Sequence, residues 1–246
     1  MKPKIEDFTT LNAEKTIETI DILYRRISER FPESSLSKVC VTLGSIARKT
    51  NKRSKKIARP NYGLRLLVTL IILGSLGAIG YSVSTMQITI SSLTLSELMQ
   101  ATEASINNLV LIGAAIFFLI TIETRIKRSR SLTALHELRS IAHVIDMHQL
   151  TKDPSRLSTH AKNTESSPKE TLTPFELIRY LDYCSEMLSL TGKIAALYAQ
   201  YFDDNVVVSS VNDLETLTTS LSRKIWQKIM ILHEVEGVSG NAELLK

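Results

Sequence analysis

The common signatures of an enzyme are missing from this chain. It contains no GxGxxG, no Gly-Lys-Ser phosphate loop, no HExxH and no GxSxG, so the usual dinucleotide, triphosphate, zinc-peptidase and serine-hydrolase chemistries have no support in it. The stretch "SLTGK" at 189–193 ends in Gly-Lys but lacks the upstream glycine and the following Ser or Thr, and it falls inside a helical pattern. It is set aside as a phosphate loop, and neither enzymatic activity nor a cofactor is expected. Cysteine is equally sparse. Cys40 and Cys184 lie far apart and form no CxxC or metal-ligand spacing, so they read as ordinary thiols in a reducing compartment, with no disulfide framework and no metal. No stretch alternates apolar and polar residues as a strand does, and the expected fold class is all-α. The first residues, MKPKIEDFTT, show no apolar run behind their lysines, so a cleavable secretory signal is not expected.

The most informative absence is of charge. Residues 66–86 carry no charged side chain, and about 20 such residues span a hydrocarbon core of about 30 Å. A second apolar run, "INNLVLIGAAIFFLITI" at 106–122, sits at the short end of that range of roughly 17–25 residues. Buried helices of a soluble domain would pass the same length test, but the flanks favour membrane spans. Arg48, Lys49, Lys52, Arg53, Lys55, Lys56, Arg59 and Arg65 precede the first run, and Arg125, Lys127, Arg128 and Arg130 follow the second. The connection between the runs has no Lys or Arg and two acids, Glu97 and Glu103. This is the positive-inside pattern, and it places both termini in the cytoplasm and the short connection outside. Tyr62 and Tyr81 fall where aromatic anchors sit at the two interfaces.

What is present then divides into three segments: N-terminal cytoplasmic helices and a basic juxtamembrane stretch (1–62), a transmembrane hairpin (63–122), and a C-terminal cytoplasmic helical domain (123–246). The formal charge of +5 and the pI of 9.1 come from the juxtamembrane segments, since residues 48–65 hold eight bases and no acid while residues 131–246 are net acidic. Topology and anionic headgroups account for that placement. The stretch "RKTNKRSKK" also offers Arg48, Lys52, Arg53, Lys55 and Lys56 as contacts for polyphosphate, a nucleotide or an oligonucleotide where several copies converge.

Helical periodicity covers the cytoplasmic parts. Ile17, Ile20, Tyr24, Ile27 and Phe31 form one stripe, Pro32 ends it, and Ser34 or Ser35 caps the next helix. After the second span, "SLTALHELRSIAHVIDMHQL" runs to the Asp153-Pro154 step with no Gly or Pro after Ala114, so one continuous rod is expected. A polar connection with Pro154, Pro168 and Pro174 follows, and Thr173 with Pro174 reads as a cap and first helical position. In the next helix Leu177, Leu181, Cys184, Leu188, Thr191, Ala195 and Tyr198 keep a packing rhythm, and Ile178, Met187, Leu190, Ile194 and Leu197 make the other side apolar too, so it should be buried on two faces. "DDNVVVSS" interrupts the pattern, and a last helix is expected over about 210–235.

The most chemical-looking segment is "HELRSIAHVIDMH". His136, Arg139, His143 and Asp146 share one helical face, with His148 beyond them. Arg139 in mid-stripe opposes a divalent cation. The plainer reading is a polar face packed against a neighbouring helix through hydrogen bonds and ion pairs; ligand contact, and catalysis at a membrane surface using His143, are the alternatives, and a histidine contact there would respond to pH.

The first span is notched by Gly74, Gly77 and Gly80. Helices in lipid associate through small residues that let backbones approach; Gly74, Gly77, Ala78, Tyr81 and Ser84 lie on one face, and Gly113 and Ala114 supply small positions in the second span. A two-helix hairpin offers little packing area, so these faces are expected to meet between subunits of a homo-oligomer. A ring of such subunits encloses a pore that gates by dewetting, with Glu97, Glu103, Asn107 and Asn108 as a polar, cation-favouring outer mouth. The leading expectation is a channel or channel-like effector whose cytoplasmic helices sense a ligand. The runner-up is a membrane-anchored scaffold that recruits a cytoplasmic protein partner.

Two spans, a basic collar and a helical cytoplasmic body, taken with "HELRSIAHVIDMHQLTKDP" and "YLDYCSEMLSLTGKIAALYAQ", resemble the membrane effector subunits of bacterial antiphage systems, the Hailong-type membrane effector in particular. The resemblance lies in the order of segments along the whole chain. It implies a homotetrameric ion channel held shut by a DNA oligomer from a partner nucleotidyltransferase and opened when that oligomer is destroyed. The charge pattern yields a direct test of topology. A fluorescent reporter fused after Lys246 should fluoresce in bacterial cells, and alkaline phosphatase inserted between Gln100 and Ala101 should be active; the reverse pair of results would invert the assignment.

Overall fold

Asn12, Ser34, Thr173 and Asp204 each start a helix by accepting hydrogen bonds from its first unpaired N–H groups. The structure is a computed structural model that describes residues 9–85, 95–154, 165 and 172–243, without the side chains at 79, 82, 83, 85, 97, 98, 101 and 235–243. Among the described residues the regular elements are all helices: α1 (Ala13–Arg30), α2 (Ser35–Ala58), α3 (Tyr62–Thr85), α4 (Leu95–Leu150), α5 (Pro174–Tyr201) and α6 (Asn205–Glu243). Asn12 caps α1 by accepting from the Glu14 and Lys15 N–H groups. Ser34 Oγ accepts from the Ser37 N–H at 3.2 Å, ahead of α2. At α5, Thr173 and Glu176 form a complete capping box with Pro174 in the first turn, as the sequence predicted for Thr173 and Pro174.

Two elements start earlier than periodicity indicated. Helix α6 begins at Asn205 rather than near Ser210, because the buried Asp204 accepts from the Val206 and Val207 N–H groups at 3.2 Å and caps the β-branched run. Burial of Val207 and Val211 outweighs the low helix propensity of that run. Helix α4 begins at Leu95, so Glu97 and Glu103 belong to its backbone and not to a connecting loop. The rest of the outer connection, and most of the polar connection including Pro168, lie outside the described residues.

The chain divides into two units, Met1–Ala58 with Arg130–Lys246, and Arg59–Ser129. In the first, α5 is the central helix. Leu177, Leu181, Cys184, Leu188, Thr191, Ala195 and Tyr198 are all buried, and so are Met187, Leu190, Ile194 and Leu197 on the other side. Their partners come from both ends of the chain: Ile20, Leu23 and Ile27 of α1, Leu36 and Leu43 of α2, Leu138, Ala142 and Ile145 of α4, and Leu214, Leu221 and Ile225 of α6 share one core. In α1 the buried stripe runs through Thr16, Ile20, Leu23 and Ile27, and Tyr24 faces outward instead. Phe31 meets Tyr180 and Tyr183 edge to face, with ring centroids 5.6 and 6.3 Å apart.

The second unit contains α3 and the first part of α4, and it is built differently. Two helices are long and apolar enough to cross a membrane, and most of their large side chains, Leu66, Leu70, Leu73, Leu109 and Phe117 among them, are exposed, whereas Leu119 is buried. A helix apolar all round needs apolar surroundings. At its base Glu123 Oε1 accepts from the Asn61 N–H at 3.1 Å and pairs with Lys127 at 2.9 Å, which joins the start of α3 to α4. Glu123 is the lone acid among the bases that follow the second apolar run.

Burial raises both thiol pKa values to about 12, chiefly by desolvation, so almost no thiolate forms near neutrality. In native protein at about pH 8 neither Cys40 nor Cys184 should react with iodoacetamide while a model thiol is consumed, and both should react after denaturation. Mass spectrometry showing rapid native alkylation would contradict the packing of α2 and α5.

Candidate functional site

The basic end of α2 is where sequence pointed first, and its geometry is that of an amphipathic helix. Ala47, Thr50, Ser54 and Ile57 are buried along one stripe, which leaves the cations on the flanks. Arg48 Nη1 donates to Asp21 of α1 at 2.9 Å, Lys55 Nζ to Glu14 of α1 at 3.1 Å, and Arg53 Nη1 to Glu137 of α4 at 3.0 Å. Lys52 and Lys56 are exposed. Within one chain, therefore, the five residues do not converge into a phosphate cradle: Arg48, Arg53 and Lys55 tie α2 to its neighbours. With side chains 40 to 74% exposed, such pairs contribute about 0.2–1 kcal/mol each.

Beneath Arg53 lies a polar junction that periodicity did not reveal. The Tyr198 hydroxyl of α5 donates to Thr50 Oγ1 of α2 at 3.3 Å, deep in the bundle. Burial, the largest cause, raises the Tyr198 pKa above the ordinary phenol value, and the Thr50 bond and nearby Arg53 oppose it only in part. The phenol therefore stays neutral and serves as a hydrogen-bond donor. With Arg53 and Glu137, this contact links α2, α4 and α5 within about one helical turn. Its sequence trace is a tyrosine on a mostly apolar seam.

The far end of α4 is held by a second device. Lys228 of α6 donates to the Gln149 carbonyl at 2.8 Å and the Lys152 carbonyl at 3.0 Å, joining the Lys152 N–H that already reaches the Gln149 carbonyl at 3.1 Å and tying the last turn of α4 to α6. Desolvation lowers the Lys228 pKa, opposed by Asp153 and Asp146.

The histidine stripe does not pack as its plainer reading anticipated. The buried face of α4 runs through Ser131, Ala134, Leu135, Leu138, Ala142 and Ile145, which turns His136, Arg139 and His143 outward into exposed positions. Asp146 instead accepts from Gln149 Nε2 at 2.6 Å, and His148 Nδ1 lies 2.8 Å from the Val144 carbonyl. Among the described residues no His, Cys, Asp or Glu cluster is arranged to hold a metal ion.

In the apolar unit the notched face is open. A Cβ added at Gly74, Gly77, Gly80 or Gly113 would meet nothing within 4 Å, and Ala78, Tyr81 and Ser84 are exposed, the Ser84 hydroxyl donating to the Tyr81 carbonyl at 2.9 Å. Of the outer polar residues, Glu103 and Asn107 line a recess of about 360 Å³ with Met99, Thr102 and Ile106. Asn108 is exposed, and the Glu97 side chain lies outside the described residues.

No protein-family model, curated protein or solved structure matches this chain, so its residues carry the functional argument. The buried junction is testable by a double-mutant cycle of Tyr198→Phe and Thr50→Val. Thermal or denaturant unfolding should return a coupling of about 0.5–1.5 kcal/mol; zero coupling would remove the bond.

Proposed function

We propose that this chain is one subunit of an oligomeric channel, or channel-like effector, in a bacterial inner membrane, with both termini cytoplasmic and the α-helical cytoplasmic unit acting as its gate control. The observation that carries this reading is the open glycine face of α3. Glycine in mid-helix costs about 1 kcal/mol relative to alanine, and in lipid that cost is offset when a second helix packs closely against the notch. Among the described residues nothing lies within 4 Å of a Cβ placed at Gly74, Gly77 or Gly80. A second copy is the natural partner, and a homotetramer is the assembly favoured by the resemblance to antiphage membrane effectors.

Continuity of α4 supports gating. The helix runs unbroken from Leu95 to Leu150, so residues that contact the helical bundle and residues of the apolar run share one backbone. A ligand that shifts α2, α5 or α6 against α4 is able to bias the apolar part only by differential binding to two arrangements. The polar junction at Thr50 and Tyr198 and the Lys228 clamp are the contacts such a shift must remake. The exposed His136, Arg139 and His143 face favours a second reading, a membrane-anchored scaffold that presents this surface to a cytoplasmic partner and conducts nothing.

One set of measurements separates the two. Purified protein should contain four or more subunits in mild detergent and conduct ions in a planar bilayer, and Gly77→Leu should abolish assembly or conductance. A monomer, or an oligomer silent across pH and nucleotide ligands, sinks the channel; retained activity in Gly77→Leu alongside loss in His143→Ala favours the scaffold.

A further inference from the structure

Helices α5 and α6 form an αα-hairpin joined by residues 202–204, and one side of it is unusually poor in long side chains. Ser185, Ser189 and Lys193 of α5 follow at steps of four, a spacing that keeps them on one face. Across from them α6 contributes Glu215, Thr218, Thr219 and Ser222, and together these walls border an open surface groove of about 510 Å³. Its floor is made by close approach of the two helices: Gly192 and Thr218 are both buried, and a Cβ at Gly192 would come within 3.2 Å of Thr218 Oγ1.

A merely solvated helix face does not call for this composition. Ser and Thr are poor residues for a helix interior because they compete for backbone hydrogen bonds, yet hydroxyls line both walls where Lys, Gln or Glu would favour the helix more. Two opposite charges face the same groove without neutralising each other. Lys193 Nζ donates to Ser189 Oγ at 2.8 Å, which aims the ammonium along the wall and leaves further donors for an anion. Glu215 is exposed at the other wall, an acceptor that requires hydroxyl or amine donors.

We propose that the groove between α5 and α6 is a binding site for a phosphorylated polyol of the sugar-phosphate class, with the phosphoryl group on Lys193 and Ser189 and the polyol hydroxyls on Glu215 and Thr219. Inorganic phosphate alone satisfies one wall and is repelled by Glu215. An uncharged sugar leaves Lys193 unmatched. A planar base finds no aromatic among the described lining residues. This site is independent of the channel reading, and "SLTGK", which fails as a phosphate loop, supplies one wall of it through helical spacing instead.

Calorimetric titration of the full-length protein in detergent tests the assignment with glucose 6-phosphate, glucose and inorganic phosphate as probes. Glucose 6-phosphate should bind at least about tenfold more tightly than either of the others, since it alone adds a charge-assisted contact to the hydroxyl contacts. Lys193→Gln should remove most of that advantage and leave weak glucose binding unchanged, whereas Glu215→Gln should weaken both sugars. Thr219→Trp should fill the groove and abolish binding, with melting temperature and helical circular dichroism showing that each variant folds. Repeating the titration in nanodiscs with and without phosphatidylglycerol identifies the source: competition by that lipid upholds the site and assigns its ligand to a headgroup, and no competition upholds a soluble ligand. Absence of heat with all three probes overturns the proposal, as does binding that Lys193→Gln and Glu215→Gln leave untouched. A Thr219→Trp variant that loses subunit association while the wild type binds no probe assigns the groove to a subunit contact instead.

Discussion

Burial of α5 on two faces is the interaction from which the larger unit takes its form. A surface helix needs one apolar stripe, but α5 buries Leu177, Leu181, Cys184 and Leu188 together with Met187, Leu190 and Ile194, so it has to be enclosed by other helices. Fully burying a large aliphatic side chain contributes about 1.5–3 kcal/mol, and no single neighbour can cover both faces. Helices α1 and α2, far away in sequence, and the second half of α4 are recruited for this reason. The cations along α2 and α1 then serve as the rim of that packing: Arg26 pairs with Glu186 of α5 at 2.9 Å and also lies over the Tyr183 ring, while Arg53 and Arg48 fasten α2 to α4 and α1.

Helix α4 meets a second constraint, because its surface changes character along one backbone. Up to Ile122 most of its large residues, Ile106, Leu109, Val110, Leu111, Phe117, Phe118 and Ile120 among them, are exposed while Leu119 is buried; from Ser131 onward one stripe is buried and His136, Arg139 and His143 are exposed. The change falls at a short charged segment where Glu123, Lys127 and Arg65 gather. One unbroken helix carries both surfaces, and this is why the proposed function runs through it. The open glycines of α3 complete the argument, since among the described residues nothing lies within 4 Å of a Cβ placed there.

Much of this was legible beforehand, and the misses share a cause. The α5 seam, the Thr173 cap and the continuity of α4 follow from spacing and local chemistry, which act within a turn or two. Helix starts governed by tertiary burial were less legible: Asp204 and Val207 hold the beginning of α6 although their run of valines reads as an interruption. The candidate site was the least legible part. Periodicity places His136, Arg139 and His143 on one face but not which way that face turns, and it lists the cations of α2 without naming the carboxylates that take them.

The amino-acid sequence by itself determined the helical class, the two apolar runs with their charged flanks, the glycine notches and the two-sided α5, because composition and spacing act locally. Only the tertiary structure decided that Arg48, Arg53 and Lys55 are committed to Asp21, Glu137 and Glu14, that Tyr198 reaches Thr50 across 148 residues, and that "SLTGK" forms a wall of a groove. Those outcomes depend on which distant helices share a core, and a pairwise contact between distant residues exists only once packing has brought them together.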